Sequence, residues 1–211
     1  MIVAGTLPAI AVEPAVVVGE GALSVSDGVW VPARWFDPRP QSLTAANPSR
    51  VISASRVLSA LSAAETGVDT DHARTAVMAL VAGEARPACG LLGEGPGLTP
   101  AGDDVVAGAL GACALLRPET GLHAVPEILA AARRATTSLS AALLSCAAAG
   151  QVVPQAAEFL AALCGQGDVA VALAGLRSVG STSGTALAVG IVAALDADRE
   201  GIRETQAGGA P

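Results

Sequence analysis

Apolar and polar positions change their rhythm once along the chain. Over the first forty residues, short β-branched runs alternate with turn residues, as in AVVVG, GALSVS and VWVPARWF. Asp27-Gly28 stands between two such runs, a strong hairpin signal because glycine adopts the positive φ that tight hairpin turns require. From about Val51 onward the apolar positions recur at helical spacing. SRVLSALSAA comes first, then DHARTAVMALVAG with Asp69 or Thr70 as N-cap. Further helices are predicted over about 103–116, 126–150, 154–165, 168–179 and 184–195. The pattern predicts an α+β protein: a small N-terminal antiparallel β region over 1–48, a mostly α-helical bundle over 49–200, and a flexible tail over 201–211. Residues 41–49, polar and punctuated by proline, read as a linker or surface crossing.

One stretch breaks the helical rhythm. GEGPGLTPAGDD, residues 93–104, places four glycines, two prolines and two adjacent aspartates directly before an apolar helix. Thr99 followed by Pro100 is a good helix start, since the hydroxyl can cap free amides and proline at the first helical position gives up no needed N–H. Gly93, Gly95 and Gly97 permit backbone conformations closed to other residues and leave a ligand room to approach main-chain N–H groups. A nest of that kind at a helix N-terminus is an anion site on physical grounds. The aspartates admit two readings. One carboxylate in the first turn complements the helix dipole. Two in succession point about 100° apart and cannot share that job, so one facing a cleft needs a cation, an arginine or a donor on a substrate.

A second segment has the same design. GSTSGTALAVG, residues 180–190, again sets a hydroxyl-rich glycine turn before an apolar helix. Gly102 to Gly108 and Gly184 to Gly190 share a spacing of six, and two such N-termini would converge on one ligand if they face one cleft. Gly108 and Gly190 also read as close-packing points between helices. Thr136, Thr137, Ser138 and Ser140 interrupt an Ala/Leu run. They read either as mid-helix hydroxyls bonded back to carbonyls one turn earlier or, for Thr137 and Ser140, as pocket-lining groups.

Composition narrows the function classes. Apolar residues make up 52% of the chain and aromatics 2%, so the core must be Ala, Val and Leu in closely approaching helices. All twelve basic residues are arginine; without lysine, a Walker-type phosphate loop and Schiff-base chemistry are excluded. Net charge is −7 and the arginines are scattered, so no nucleic-acid partner is expected. Cys89, Cys113, Cys146 and Cys164 form no C-x-x-C pair and read as buried thiols of a cytoplasmic protein. His72 and His123 lack ligand spacing and read as surface residues. The apolar N-terminus has no basic region and is interrupted by Pro8 and Pro14, so it is not read as a signal peptide. The uncharged run over 135–157 is long enough for a bilayer, but its hydroxyls, Gln151, Gln155 and Pro154 suit a packed core, and no membrane partner is expected.

GxGxGLTPxGDD before an apolar helix, then TTxxS ahead of AAAG, then GxxSG before a final apolar helix, occur in that order over residues 93–195. The series resembles a bacterial family long filed as a domain of unknown function, some of whose members are associated with purine and allantoin breakdown as a subunit of oxamate carbamoyltransferase. The chain departs from that pattern at Ala101, where the family usually has serine, and at Thr185, where it often has a larger or more polar residue. The resemblance implies carbamoyl transfer between phosphate and the nitrogen of a small amide acid, with carboxylate and phosphate anions as ligands. It assigns Gly95, Gly97, Thr99, Gly102, Ser140, Gly180, Ser181, Ser183 and Gly184 to ligand binding. Asp103 or Asp104 would orient the substrate amide or anchor Mg²⁺ or an arginine; otherwise no cofactor is expected, and no nucleophile or general base stands out. The implied partners are a small anionic substrate and a larger transferase subunit. A non-catalytic subunit and a free-standing anion-binding protein remain as alternatives.

Overall fold

The computed structural model describes residues 16–19, 21–25, 28–31, 33, 38, 43, 46–59, 63–117 and 123–207. The runs expected before Val16, Asp27 of the expected turn, and residues 41, 42, 44 and 45 of the expected crossing lie outside them. The chain divides into two compact units, Met1–Pro38 and Arg39–Pro211, and the fold is α+β.

The first unit holds a three-stranded antiparallel sheet in the order β1 (Val16–Gly19), β2 (Ala22–Val25), β3 (Gly28–Trp30). Val25 pairs with Gly28, so Gly28 is the first paired residue of β3 rather than part of the turn. Its missing side chain has a packing reason: a Cβ there would stand 2.0 Å from the indole of Trp30, two residues along on the same strand face.

The second unit is helical: α1 (Pro48–Ser59), α2 (Ala63–Thr66), α3 (Thr70–Val81), α4 (Ala85–Leu91), α5 (Ala101–Leu116), α6 (Val125–Ala135), α7 (Ser138–Ala148), α8 (Pro154–Leu163), α9 (Val169–Arg177) and α10 (Ser183–Ala207). Local signals set many of the ends. Asp69 caps α3 by accepting from the N–H groups of Asp71 and His72 at 3.0 and 2.9 Å, and Asp168 caps α9 through Val171 N–H at 2.9 Å. Pro126 and Pro154 sit in first turns, where their lack of an N–H costs nothing. The buried positions of α3, Ala73, Ala76, Val77 and Leu80, follow the i, i+3, i+4, i+7 spacing of one helix face.

The centre of the bundle is α5, which buries every residue from Ala101 to Cys113. Its principal partner is α10, and the two meet backbone to backbone. A Cβ on Gly108 would lie 2.2 Å from the Leu187 carbonyl oxygen, and one on Gly190 would lie 1.9 Å from that of Val105. Both glycines therefore act as close-packing points.

The helix expected over 126–150 is two helices. Thr136 is extended (φ −137°, ψ −174°), and Thr137 caps α7 by accepting from Ser140 N–H at 3.1 Å. The hydroxyls that looked like mid-helix side chains form a helix boundary, the position that threonine favours. The break also turns α7 so that Ser140, Leu144 and Ala147 face inward. Cys146 is exposed as a result, and of the four cysteines Cys113 alone is fully buried, contrary to the expectation of a buried set. His72 and His123 are exposed.

Candidate functional site

The glycine loop joins α4 to α5. Gly93, Gly95 and Gly97 have φ of 81°, 107° and 98°, in the left-handed region that other residues enter only at a cost. The loop's end differs by one residue from the expected start. Pro100 is the N-cap of α5, and the Thr99 side chain makes no cap bond. Chain neighbours take up the first amides instead: Gly102 N–H reaches the Glu94 carbonyl at 3.0 Å, and those of Asp103 and Asp104 reach Pro100 at 3.0 and 3.2 Å. The N–H groups of Gly95, Gly97 and Thr99 bond to no backbone carbonyl among the described residues.

The two aspartates divide the work. Asp103, 2% exposed, accepts from Gly93 N–H at 2.8 Å through Oδ1 and from the Thr136 hydroxyl through Oδ2. It ties the start of the loop and the α6–α7 break to the first turn of α5. Asp104 is 7% exposed and points elsewhere. It shares a hydrogen bond with Ser183, while its Oδ2 is buried without any hydrogen-bond partner. Burial pushes its carboxyl from 3.8 up to about 6; the bond from Ser183 opposes that rise and the charge of Asp103 adds to it.

The second glycine turn arrives at the same place. Thr99 Oγ1 and Ser183 Oγ lie 3.2 Å apart, so the N-termini of α5 and α10 meet, and Thr99, Ser183 and Asp104 form a continuous run of polar groups. Gly180 (φ 65°) and Ser181 lie exposed before it. Ser140 and Thr137 approach from α7, both with their hydroxyls toward the Leu98 carbonyl, at 3.4 and 2.6 Å. Gly102 and Gly184 are closed off by protein backbone, since a Cβ on either would come within 2.0 Å of Leu91 O or 1.8 Å of Leu176 O. Ala101, where serine was the resemblance's usual residue, is 1% exposed, and Thr185 is buried as well.

Two contributors were missed in the sequence. Thr136 holds Asp103, and Gly67 (φ 78°) fills the space between the loops: a Cβ there would meet Ala101 Cβ at 2.6 Å and Thr182 at 3.2 Å. The Thr66-Gly67 turn before Asp69 was the available signal for the latter.

The raised Asp104 has a consequence for stability. The folded state holds its proton more tightly than the unfolded chain, so stability from this group is present below about pH 4 and lost as pH rises to about 6. Asp104→Asn is therefore expected to stabilise the protein at pH 7.5 by about 1–3 kcal/mol, and the advantage should vanish near pH 4. Urea denaturation at the two pH values measures it, and a gap that does not change with pH would contradict this account.

A separate concave pocket lies among α1, α3 and α10, lined by Ser55, Leu58, Thr70, Asp71, Arg74 and Asp196. None of the glycine-turn residues lines it. No group of three or more metal-binding side chains occurs among the described residues. Mg²⁺ does not fit Asp103, because both of its oxygens are already engaged, and Asp104 alone offers one unpartnered oxygen where a hard cation needs several. Among the described residues, no helix is long and apolar enough to cross a membrane.

Residues 91–195 match the family model described as oxamate carbamoyltransferase subunit AllH. The matched segment begins at the end of α4 and closes within the buried run of α10, so it contains both glycine turns. No curated protein and no solved structure matches the chain.

Proposed function

Since the chain belongs, through residues 91–195, to the family of oxamate carbamoyltransferase subunits, we propose that it is a cytoplasmic transferase subunit holding a small carboxylate or phosphate anion where α5 and α10 begin. The observation that carries this reading is the 3.2 Å contact of Thr99 with Ser183. It brings two glycine turns, 84 residues apart in sequence, to one point. Unbonded amides of the first loop, the hydroxyls of Thr99 and Ser183 and the positive ends of two helices then act on the same small volume. Carbamoyl transfer between phosphate and an amide nitrogen gains most from holding two charged reactants in line, and backbone donors with hydroxyls supply that without lysine. A larger transferase subunit would complete the chemistry.

Calorimetric titration of the purified chain with oxamate, phosphate and carbamoyl phosphate tests the reading. Binding in the millimolar range or tighter is expected. Gly97→Val should weaken it at least tenfold while the helical circular dichroism is unchanged, because Gly97 has open space around it and only its φ of 98° resists a side chain. Carbamoyl transfer that appears only when the larger subunit is added identifies a subunit, and transfer by the chain alone identifies an enzyme. Absence of anion binding, or full binding by Gly97→Val, would remove the site from these turns.

A further inference from the structure

The anion reading leaves one group unexplained: a buried carboxyl beside the place where an anion would sit. We propose that Asp104 is the specificity-determining residue of this site, accepting a hydrogen bond from the amide nitrogen of the ligand and so selecting a carboxylate–amide over a dicarboxylate. The inference rests on the function proposed above.

Its basis is the unequal treatment of two adjacent side chains. Asp103 spends both oxygens on protein donors. Asp104, nine-tenths buried, receives a hydrogen bond from Ser183 and leaves Oδ2 with nothing. A buried acceptor without a donor is costly, and native structures rarely leave one. A donor brought by a ligand accounts for the vacancy. The neighbours limit which ligand that is. Ser183 and Thr99, each at the end of a glycine turn, lie against each other, so the donor must belong to a molecule small enough for its acidic end to remain at those turns. An acid with an amide on the adjacent carbon has that form. Oxamate carries –NH₂ where oxalate, of nearly the same size and shape, carries a second –O⁻. The amide donates to Asp104; the second carboxylate meets it as a like charge. A site that hydrogen-bonds a particular polar group rejects the analogue lacking it far more strongly than shape alone permits. The loop residues 93–98 are exposed, and Gly93, Gly95 and Gly97 among them have positive φ.

Competitive calorimetry with oxamate and oxalate at pH 7.5 provides the test, with phosphate as a third probe. The parent protein is expected to prefer oxamate by at least tenfold. In Asp104→Asn the preference should fall to within about threefold or reverse, while phosphate binds at least as well as before. Asp104→Ser serves as a second variant should the first fail to fold, and circular dichroism checks both. Equal affinity of the parent for oxamate and oxalate, or a preference that survives both substitutions, overturns the role of Asp104 and leaves the anion site standing. Loss of phosphate, oxamate and oxalate binding alike in the parent overturns the underlying reading and this inference with it.

Discussion

Replacing Asp103 by alanine is expected to lower the unfolding free energy by about 2–4 kcal/mol, because it removes two hydrogen bonds to a buried carboxylate and leaves two partly buried donors without their acceptor. Gly93 N–H and the Thr136 hydroxyl both depend on this carboxylate, and the position is 2% exposed, so water cannot replace it without opening the loop. Asparagine should be intermediate, about 2 kcal/mol: its oxygen keeps one bond while its NH₂ is turned toward a donor. The neighbouring Asp104→Asn should move stability the other way at pH 7.5. Two adjacent aspartates giving opposite signs in urea denaturation is the expected signature of their division of labour. A loss below about 1 kcal/mol for Asp103→Ala, the size of a simple dipole contribution, would show that the carboxylate is only a helix-end charge.

Gly190→Ala should cost at least about 3 kcal/mol or prevent folding, although alanine in a helix is ordinarily better than glycine by about 1 kcal/mol. The added methyl would lie 1.9 Å from Val105 O, 2.8 Å from its carbonyl carbon and 3.0 Å from Ala109 N. All three are backbone atoms of α5, so relief requires moving that helix, which is packed on all sides. Gly175 is the control. It lies in α9 with nothing within 4 Å of where a Cβ would go, and Gly175→Ala should stabilise by about 0.5–1 kcal/mol. Thermal unfolding of both variants decides between packing and propensity. A stable Gly190→Ala protein would mean that α5 and α10 are not in backbone contact.

The outline of the fold was legible because it rests on local periodicity. A glycine-containing hairpin and alanine-rich helices with capped ends declare themselves within a few residues. What stayed hidden depends on partners far away. Nothing near Thr136 in the sequence announces that Asp103, 33 residues earlier, accepts a hydrogen bond from its hydroxyl, so the helix break there looked like an ordinary hydroxyl run. Thr99 had the features of an N-cap, yet its hydroxyl faces Ser183 and Pro100 takes the cap. The repeated glycine turns did signal a common location. The same repetition concealed that Gly102 and Gly184 are glycine because a neighbouring carbonyl lies against them, whereas Gly97 is glycine for its φ. Cys146 could not be placed outward until α7 was known to begin at Ser138. The double aspartate was recognised as more than a helix end, but assigning each member required knowing which oxygen was already taken.

The glycine contacts between α5 and α10 also bear on how the two helix beginnings behave as a pair. Backbone pressed on backbone at Gly108 and Gly190 leaves no compliant side-chain layer between the helices. Neither can slide or tilt without the other, and the start of α5 keeps its place beside the start of α10 for as long as the bundle is folded. The entropy of bringing those two ends together is lost when the chain folds, not when a small molecule arrives, and preorganisation of this kind is what allows few contacts to yield measurable affinity.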